Sequence, residues 1–409
     1  LKREVNTPNS TPLLPEVGIL ALVPEAWGGM WLSRHQLLTR LARYFHVLWC
    51  NPQRHWRDVW RHRDAADRNA DPTAPPLTGF TIYDHAPWFP RFYGNSRLQR
   101  FTAGARLREA HRVLKQQGCS RQVLYVWLPD YSDSLDLAPH DLSCYHIVDE
   151  YSFSDVETPL SDVERRLIER VDQVFIHSPA LWEKKGRINP HTDYVTNGVD
   201  FAAFAAPSAE PADLAAIPHP RLGYIGRLKS QLDWGLLQHI ARQRPDWSLV
   251  LVGPIGHMGE AAATARAVLD LPNVHHLGNK ALRDIPAYTR HMDVCLLCYA
   301  RNDYTKYIFP LKLHEYLASG KPVVGSDIRS LHEFANVVRI AHTPDEWVAG
   351  IEEALLPAMH SAERIAERQR VARTYDWDVL AERIAMILCE RLGPEYAQRL
   401  RVSSGGGAA

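Results

Sequence analysis

Short apolar runs and amphipathic stretches alternate along most of this chain. The apolar runs of the first half are Val17–Pro24, Phe45–Cys50, Phe80–Tyr83, Val123–Leu128, Cys144–Val148, Gln173–His177 and Asp193–Val195. They are too short for buried helices and too continuously apolar for half-solvated strands, which predicts parallel strands covered on both faces. Between them, Ser33–Tyr44 and Arg97–Gln117 repeat apolar positions at helical spacing. Strand, helix, strand in succession implies right-handed β-α-β units. After residue 200 the pattern restarts with Arg221–Gly226, Ser248–Gly253, Val274–Leu277, Val294–Cys298, Pro322–Gly325 and Val337–Ile340. The fold class expected is α/β, with two doubly wound parallel-sheet domains. Each ends its strands in Gly, Pro or Asp, on the side where such sheets bind ligands.

The expected boundaries follow from the same pattern. Residues 1–200 form the first domain, and 201–220, rich in Ala and Pro without an apolar period, reads as a linker. Residues 221–375 form the second domain, and a helix over 376–400 crosses back to the first. Residues 401–409 form a tail whose end, Ser403–Ala409, is Ser, Gly and Ala alone and is expected to be disordered. Asp64–Pro76, polar and Pro-containing, reads as a mobile loop.

Composition narrows the function class. With 45% hydrophobic and 23% charged residues in 409, the chain has the balance of a soluble globular protein with room for two cores. Its longest apolar run, Val17–Val23, is far short of the ~20 residues of a membrane-spanning helix. Forty-seven basic residues balance 47 acidic ones, so a global field for nucleic acid is not expected. Six cysteines in this length make no disulfide framework, and Leu1-Lys2-Arg3-Glu4 carries no signal-peptide pattern; a cytoplasmic setting is expected. Cys295 and Cys298 form a C-x-x-C inside an apolar strand with no second pair, which reads as structural rather than metal-binding. Only 9 of the 47 basic residues are Lys, so a Lys within a motif is a less casual choice.

Several segments place chemistry at strand ends. Gly28 and Gly29, between the first strand and a helix, let backbone amides approach an anion or simply make a tight turn. In Tyr224-Ile-Gly-Arg-Leu-Lys229, Arg227 follows the strand-ending glycine and Lys229 lies two beyond; both are placed to neutralise a diphosphate or to be solvated. Most informative is Tyr307-Ile-Phe-Pro-Leu-Lys-Leu-His-Glu-Tyr-Leu-Ala-Ser-Gly-Lys-Pro-Val-Val324. Pro310 opens a helix over Leu311–Ser319, Gly320 closes it, and Pro322 opens a strand. Lys312 and Glu315 share one helical face near its start. A cation with free amides can hold phosphates there, and a carboxylate one turn on can accept two ribose hydroxyls. The competing reading is a surface ion pair worth less than ~1 kcal/mol. Asp130, and Asp149 with Glu150, follow strands and are candidate catalytic carboxylates or plain helix caps. Trp56, Arg57, Trp60 and Arg61 set aromatics at i and i+4 beside a basic face, which suits a membrane or acceptor contact as well as packed Trp with solvated Arg.

Lys312-x-x-Glu315-Tyr-Leu-Ala-x-Gly-Lys-Pro-Val-Val324 resembles the donor-site helix of GT-B glycosyltransferases of the family 4 (group 1) type, with a likeness to the teichuronic-acid-type polysaccharide transferases. Asn197-Gly-Val-Asp200, Tyr224-Ile-Gly-Arg227, Asn273-Val-His-His-Leu-Gly278 with Ile285-Pro-Ala-Tyr288 and Asp293, and Tyr375-Asp-Trp377 resemble that family's other segments. The likeness spans roughly 190–390, with the first half similar only in pattern. It implies a GT-B fold and transfer of a hexose-type sugar from a UDP- or GDP-linked donor to a saccharide or lipid-linked acceptor. It also implies cell-surface polysaccharide synthesis without a metal or cofactor, in the cytoplasm at the inner face of the membrane. Glu315 would hold the ribose, and Arg227, Lys229 and Lys312 the diphosphate. Tyr307, Pro310 and Leu311 would line the donor side, and Gly28-Gly29 the donor or acceptor side. This chain departs from the family pattern in two places. Tyr307 stands where the family carries a Glu eight residues before the ribose carboxylate, and Leu232 and Asp233 stand where it carries a Lys. The rivals are a nucleotide-sugar epimerase of the same fold and a two-domain ligand-binding protein. The latter would need an export signal and has no use for Lys312 and Glu315 on one helix.

Overall fold

In the computed structural model, residues 11–28, 31–54, 78–86, 88–92, 96–151 and 157–405 are described. Seven strands form the first sheet: β1 Val17–Leu22, β2 His46–Cys50, β3 Phe80–Tyr83, β4 Arg121–Val126, β5 Leu142–Ile147, β6 Gln173–Ile176 and β7 Thr192–Tyr194. Six form the second: β8 Arg221–Ile225, β9 Ser248–Val252, β10 Val274–His276, β11 Val294–Leu297, β12 Val323–Ser326 and β13 Val338–Ala341. All pairings are parallel. Every apolar run read from the sequence is a strand, with ends displaced by a few residues. β12 starts at Val323 because Pro322 has no N–H for the ladder.

The first sheet runs β3-β2-β1-β4-β5-β6-β7 and the second β10-β9-β8-β11-β12-β13. In each, the order reverses beside the first strand of the set, between β1 and β4 and between β8 and β11. The crevice outside the strand carboxyl ends at such a reversal is where doubly wound sheets hold ligands. The sequence has placed Gly28 just beyond β1 and Gly226 just beyond β8.

The linker segment is not free chain. Phe201–Ala205 and Ala212–Ala215 are short helices, and Phe201, Phe204, Leu214 and Ile217 are buried in the core around the second sheet. The helix Trp377–Leu392 packs Trp377, Leu380, Ile384 and Leu388 into the core of the first sheet. Val199 N–H donates to the Tyr375 carbonyl and Trp377 N–H to that of Val199, both at 2.9 Å, which stitches the two chain crossings together. The expected disorder is corrected at residues 403–405, while 406–409 lie outside the described residues. A helix over Pro394–Gly405 includes Ser403 to Gly405, anchored by buried Tyr396, Ala397 and Leu400 and by Ser403 Oγ donating to the Arg399 carbonyl at 3.1 Å. A low-complexity run says nothing about a helix that enters it already anchored upstream.

Candidate active site

The second-domain half of the cleft is built where two glycines let backbone and side chain approach. Gly226 follows β8 with φ +143°, and Gly253 follows β9 with φ +140°. A Cβ on Gly226 would lie 2.1 Å from Lys312 Cε and 2.6 Å from its Nζ. The end of the Lys312 side chain therefore lies over the end of β8, with Nζ 5.1 Å from the centre of the Tyr224 ring. Tyr316, one turn along the same helix, accepts at Oη the Ile225 N–H at 2.9 Å, fixing helix to strand.

That helix runs Leu311–Ala318 with Pro310 at its cap position and no side chain accepting from its first-turn amides. Lys312 and Glu315 are partly covered, not exposed. No ion pair within 4.0 Å joins them among the described residues, so a surface salt bridge does not account for them. Burial holds the Lys312 ammonium below its ordinary range, with Lys229 adding to the effect and Glu315 opposing it. Burial likewise raises the Glu315 carboxyl, opposed by Lys312. Lys229 is lowered by burial and by Arg227, while Asp149 from the other domain opposes. Arg227 itself is exposed. Lys312, Lys229 and Arg227 are thus electrostatically coupled in one place, a concentration of positive charge around the two glycines that suits an anion.

The first-domain half meets this from across the cleft. Asp149, just beyond β5, accepts Tyr304 Oη–H at Oδ2 (3.2 Å) and the Glu150 N–H at Oδ1 (2.8 Å). Burial raises its carboxyl above the usual range, against those hydrogen bonds and Lys229. Glu150 sits elsewhere: it is wholly buried with Lys185 at 3.1 Å and Lys184 at 3.3 Å, and Lys185 also holds Glu164 at 2.8 Å. Removing one member of such a buried set strands the others, so Glu150 reads as structural. Asp130 is 62% exposed in a short turn and pairs with Arg91 at 3.1 Å. Of the three carboxylates, Asp149 meets the second domain directly, through the Tyr304 hydroxyl and the field of Lys229.

A second junction lies beside it. Glu157 accepts Tyr307 Oη–H at 2.5 Å and pairs with Lys306 at 2.6 Å and Lys184 at 2.8 Å, which hold its carboxyl down to about 2. Tyr307 is buried in the first domain's core and Leu311 packs against that domain too. The turn ahead of the Lys312 helix is therefore seated on the first domain. Asn197 adds a bond from Nδ2 to the Phe309 carbonyl at 2.8 Å. Pro310 is buried within this turn. Sequence reading did not single out Tyr304, Glu157, Lys184 or Lys306, because no local motif marks residues that meet only across a cleft.

The remaining motif residues are structural. Asn273 Nδ2 donates to the carbonyls of Ala241 and Trp247, both at 3.0 Å; Tyr288 Oη donates to Asp213 at 2.7 Å; Asp293 accepts the Arg221 N–H at 2.6 Å. Cys295 and Cys298 are buried free thiols, raised by burial to about 12. Gly28, with φ +99°, sits at the mouth of β1 beside Trp27, whose N–H donates to Asn51 Oδ1 at 2.8 Å. Gly29, Trp56, Arg57, Trp60, Arg61 and the Asp64–Pro76 loop lie outside the described residues. Among the described residues, no three His, Cys, Asp or Glu side chains are grouped as a metal-ligand set, and no helix is long and apolar enough to cross a membrane.

Residues 219–356, within the second half of the chain, match the family model described as Glycosyl transferases group 1. The chain is 32% identical over 238 residues to TuaH of Bacillus subtilis strain 168, named as a teichuronic acid biosynthesis glycosyltransferase. The match covers 55% of this chain and 58% of that protein, less than two thirds of its length. Among solved structures, Anabaena HepE in complex with UDP aligns with a TM-score of 0.62 at 16% identity, covering 92% of this chain and 100% of that one. WaaG, a glycosyltransferase involved in lipopolysaccharide biosynthesis, aligns at 0.57 and 14% identity, covering 91% and 99%. These likenesses establish the fold as GT-B: two Rossmann-like domains facing each other across a cleft.

Proposed function

We propose that this chain, a GT-B fold carrying a glycosyl transferases group 1 domain, moves a hexose-type sugar from a UDP- or GDP-linked donor to a saccharide or lipid-linked acceptor in cell-surface polysaccharide synthesis. The observation that carries this reading is the placement of Lys312 over Gly226 with Glu315 one turn away on the same partly covered helix. A cation and uncapped helix amides suit a diphosphate, and a carboxylate beyond them suits a ribose. The likeness to a relative named for teichuronic acid biosynthesis supports the acceptor class. With Lys312, Lys229 and Arg227 supplying positive charge, the leaving diphosphate is stabilised by side chains, and the proposal needs no metal. Calorimetry in EDTA tests it: UDP or GDP should bind, and absence of binding by either would remove the reading. An epimerase of the same fold would instead isomerise the donor sugar with no acceptor present.

Asp149 is the proposed carboxylate for the acceptor hydroxyl's proton. It must be ionised to take a proton, and burial raises its pKa, so kcat/KM should fall as pH drops through a value above the ordinary carboxylate range. In Asp149→Asn that acid limb should vanish while donor affinity stays within about twofold, because the residue stands across the cleft from the proposed donor-binding helix. An unchanged limb in the variant would move the proton to another group.

A further inference from the structure

Tyr304 reaches the cleft from a loop that its own residues hold in shape. The loop follows β11 and runs Ala300-Arg-Asn-Asp-Tyr-Thr-Lys306. Asn302 Oδ1 accepts the N–H groups of Tyr304 at 3.0 Å and Thr305 at 2.8 Å, the turn by which an Asn side chain ties down the backbone after it. Thr305 is fully buried, and its Oγ1 donates to the Ala300 carbonyl, closing the loop on itself. Both ends are braced as well. The Ala300 N–H donates to the Gln231 carbonyl at 2.9 Å, just past Lys229. At the other end the Tyr307 N–H donates to the Tyr304 carbonyl at 3.0 Å, and Glu157 of the first domain holds Lys306 and Tyr307. The Tyr304 ring is therefore anchored from both domains.

Its hydroxyl donates to Asp149 Oδ2 at 3.2 Å, across 155 residues of chain, while the Glu150 N–H donates to Oδ1 at 2.8 Å. One donor on each oxygen sets the plane of the carboxyl group and leaves each oxygen a further lone pair for a substrate hydroxyl. Burial and Asp149 push the Tyr304 phenol above its usual range, so it keeps its proton and remains a donor. Among the described residues, the titratable groups facing Asp149 are Tyr304 and Lys229 from the second domain and Glu150 and Tyr151 beside it in the chain. Burial, the largest influence, favours the neutral acid, and so does the Glu150 charge. The Glu150 N–H, the Tyr304 hydroxyl and Lys229 favour the carboxylate. A diphosphate engaging Lys229 would cancel that cation's help. The uncharged Tyr304 hydroxyl would go on giving its own.

We propose that Tyr304 is a positioning residue, whose hydroxyl orients Asp149 and holds it in its charged form for the acceptor hydroxyl's proton. This rests on Asp149 being the group that takes that proton. In the step served, the acceptor oxygen bonds to the anomeric carbon as its proton passes to Asp149. The bond from that carbon to the diphosphate oxygen breaks, and its electron pair stays on the leaving diphosphate. The rival role for the same contact is a placeholder, the phenol standing where an acceptor hydroxyl will bind. A placeholder slows the reaction; a positioning residue speeds it.

Tyr304→Phe removes the hydroxyl and keeps the ring. In the full chain labelled with carbon-13 at its Asp carboxyls, the resonance missing from Asp149→Asn belongs to Asp149. It should titrate at higher pH in Tyr304→Phe than in the parent, because a donor to the charged form has gone. Turnover of UDP- or GDP-glucose, whichever nucleotide binds in calorimetry, is then followed with water as the acceptor. The acid limb of kcat/KM should move to higher pH in Tyr304→Phe, and kcat on the plateau should fall about 10-fold. Nucleotide affinity and thermal unfolding should match the parent, which separates this role from simple packing. Added to Asp149→Asn, Tyr304→Phe should cost nothing further, since both remove one interaction. The proposal is overturned if Asp149 titrates alike in parent and Tyr304→Phe, or if the double variant shows additive losses. Faster turnover in Tyr304→Phe would make the phenol a placeholder and overturn it too. An acid limb that survives in Asp149→Asn would remove Asp149 as the proton's recipient, and the inference with it. A limb that vanishes there but stays in place in Tyr304→Phe would remove the inference alone.

Discussion

Alanine at Lys312 is expected to lower the affinity for UDP or GDP by about 10–100-fold and to leave uridine or guanosine binding within about twofold. The range is that of one charge-assisted hydrogen bond, about 1.5–3 kcal/mol. Only the phosphate loses its partner, so the nucleoside should not register the change directly. Glu315→Ala should act differently, weakening nucleoside and nucleotide together by about the same factor, since a carboxylate accepting ribose hydroxyls serves both. A secondary effect follows from the coupling of the two side chains. Burial already raises the Glu315 carboxyl, and Lys312 is the group that opposes it. Removing Lys312 therefore raises Glu315 further, and nucleoside binding should begin to fail at a higher pH in Lys312→Ala than in the parent as pH is lowered. Calorimetry of nucleoside against nucleoside diphosphate across pH separates these outcomes. If both variants bind like the parent, the donor site is not on this helix.

Much of this arrangement was legible in the chain, because it depends on local pattern. The strands are parallel and buried on both faces, so each is an uninterrupted apolar run; nothing else in the sequence competes with that signal. Pro310 and Gly320 bracket the Lys312 helix by local backbone rules that hold in any context. The cleft is a different matter. Glu150 looks equivalent to Asp149 in sequence, but the adjacent side chains part: one is enclosed by Lys184 and Lys185, the other meets Tyr304. Tyr307 looks like a cleft residue from its position before the helix, yet its ring is buried in the first domain and its hydroxyl is held by Glu157. Such partners are 150 residues apart in the chain. Only the docking of one domain on the other brings them together, and no periodicity encodes it. Phe201–Pro220 reads as a linker for a third reason: its apolar residues come as two isolated i, i+3 pairs, Phe201 with Phe204 and Leu214 with Ile217, too short a repeat to read as a period, yet each finds a place in an existing core.

Gly253→Ala is expected to cost about 2–6 kcal/mol of stability, far more than Gly226→Ala, although both glycines hold φ near +140°. The difference lies in what a methyl group would meet. At Gly253 the nearest atoms are the Gly226 carbonyl oxygen at 2.1 Å and carbon at 2.7 Å, main chain that cannot yield without moving β8 and its loop. At Gly226 they belong to the free end of Lys312, which can swing away. Gly226→Ala should therefore lose only the backbone strain, about 1–3 kcal/mol in urea unfolding, and remain folded. Its cost appears in binding instead. With Lys312 displaced from above the end of β8, nucleoside diphosphate affinity should drop as far as in Lys312→Ala. The two changes remove one interaction, so the double variant should bind no more weakly than either single, a coupling equal to the whole effect rather than the additivity of independent sites. Full additivity would mean that Lys312 reaches the diphosphate from some other position, and that the close approach of its side chain to Gly226 serves packing alone.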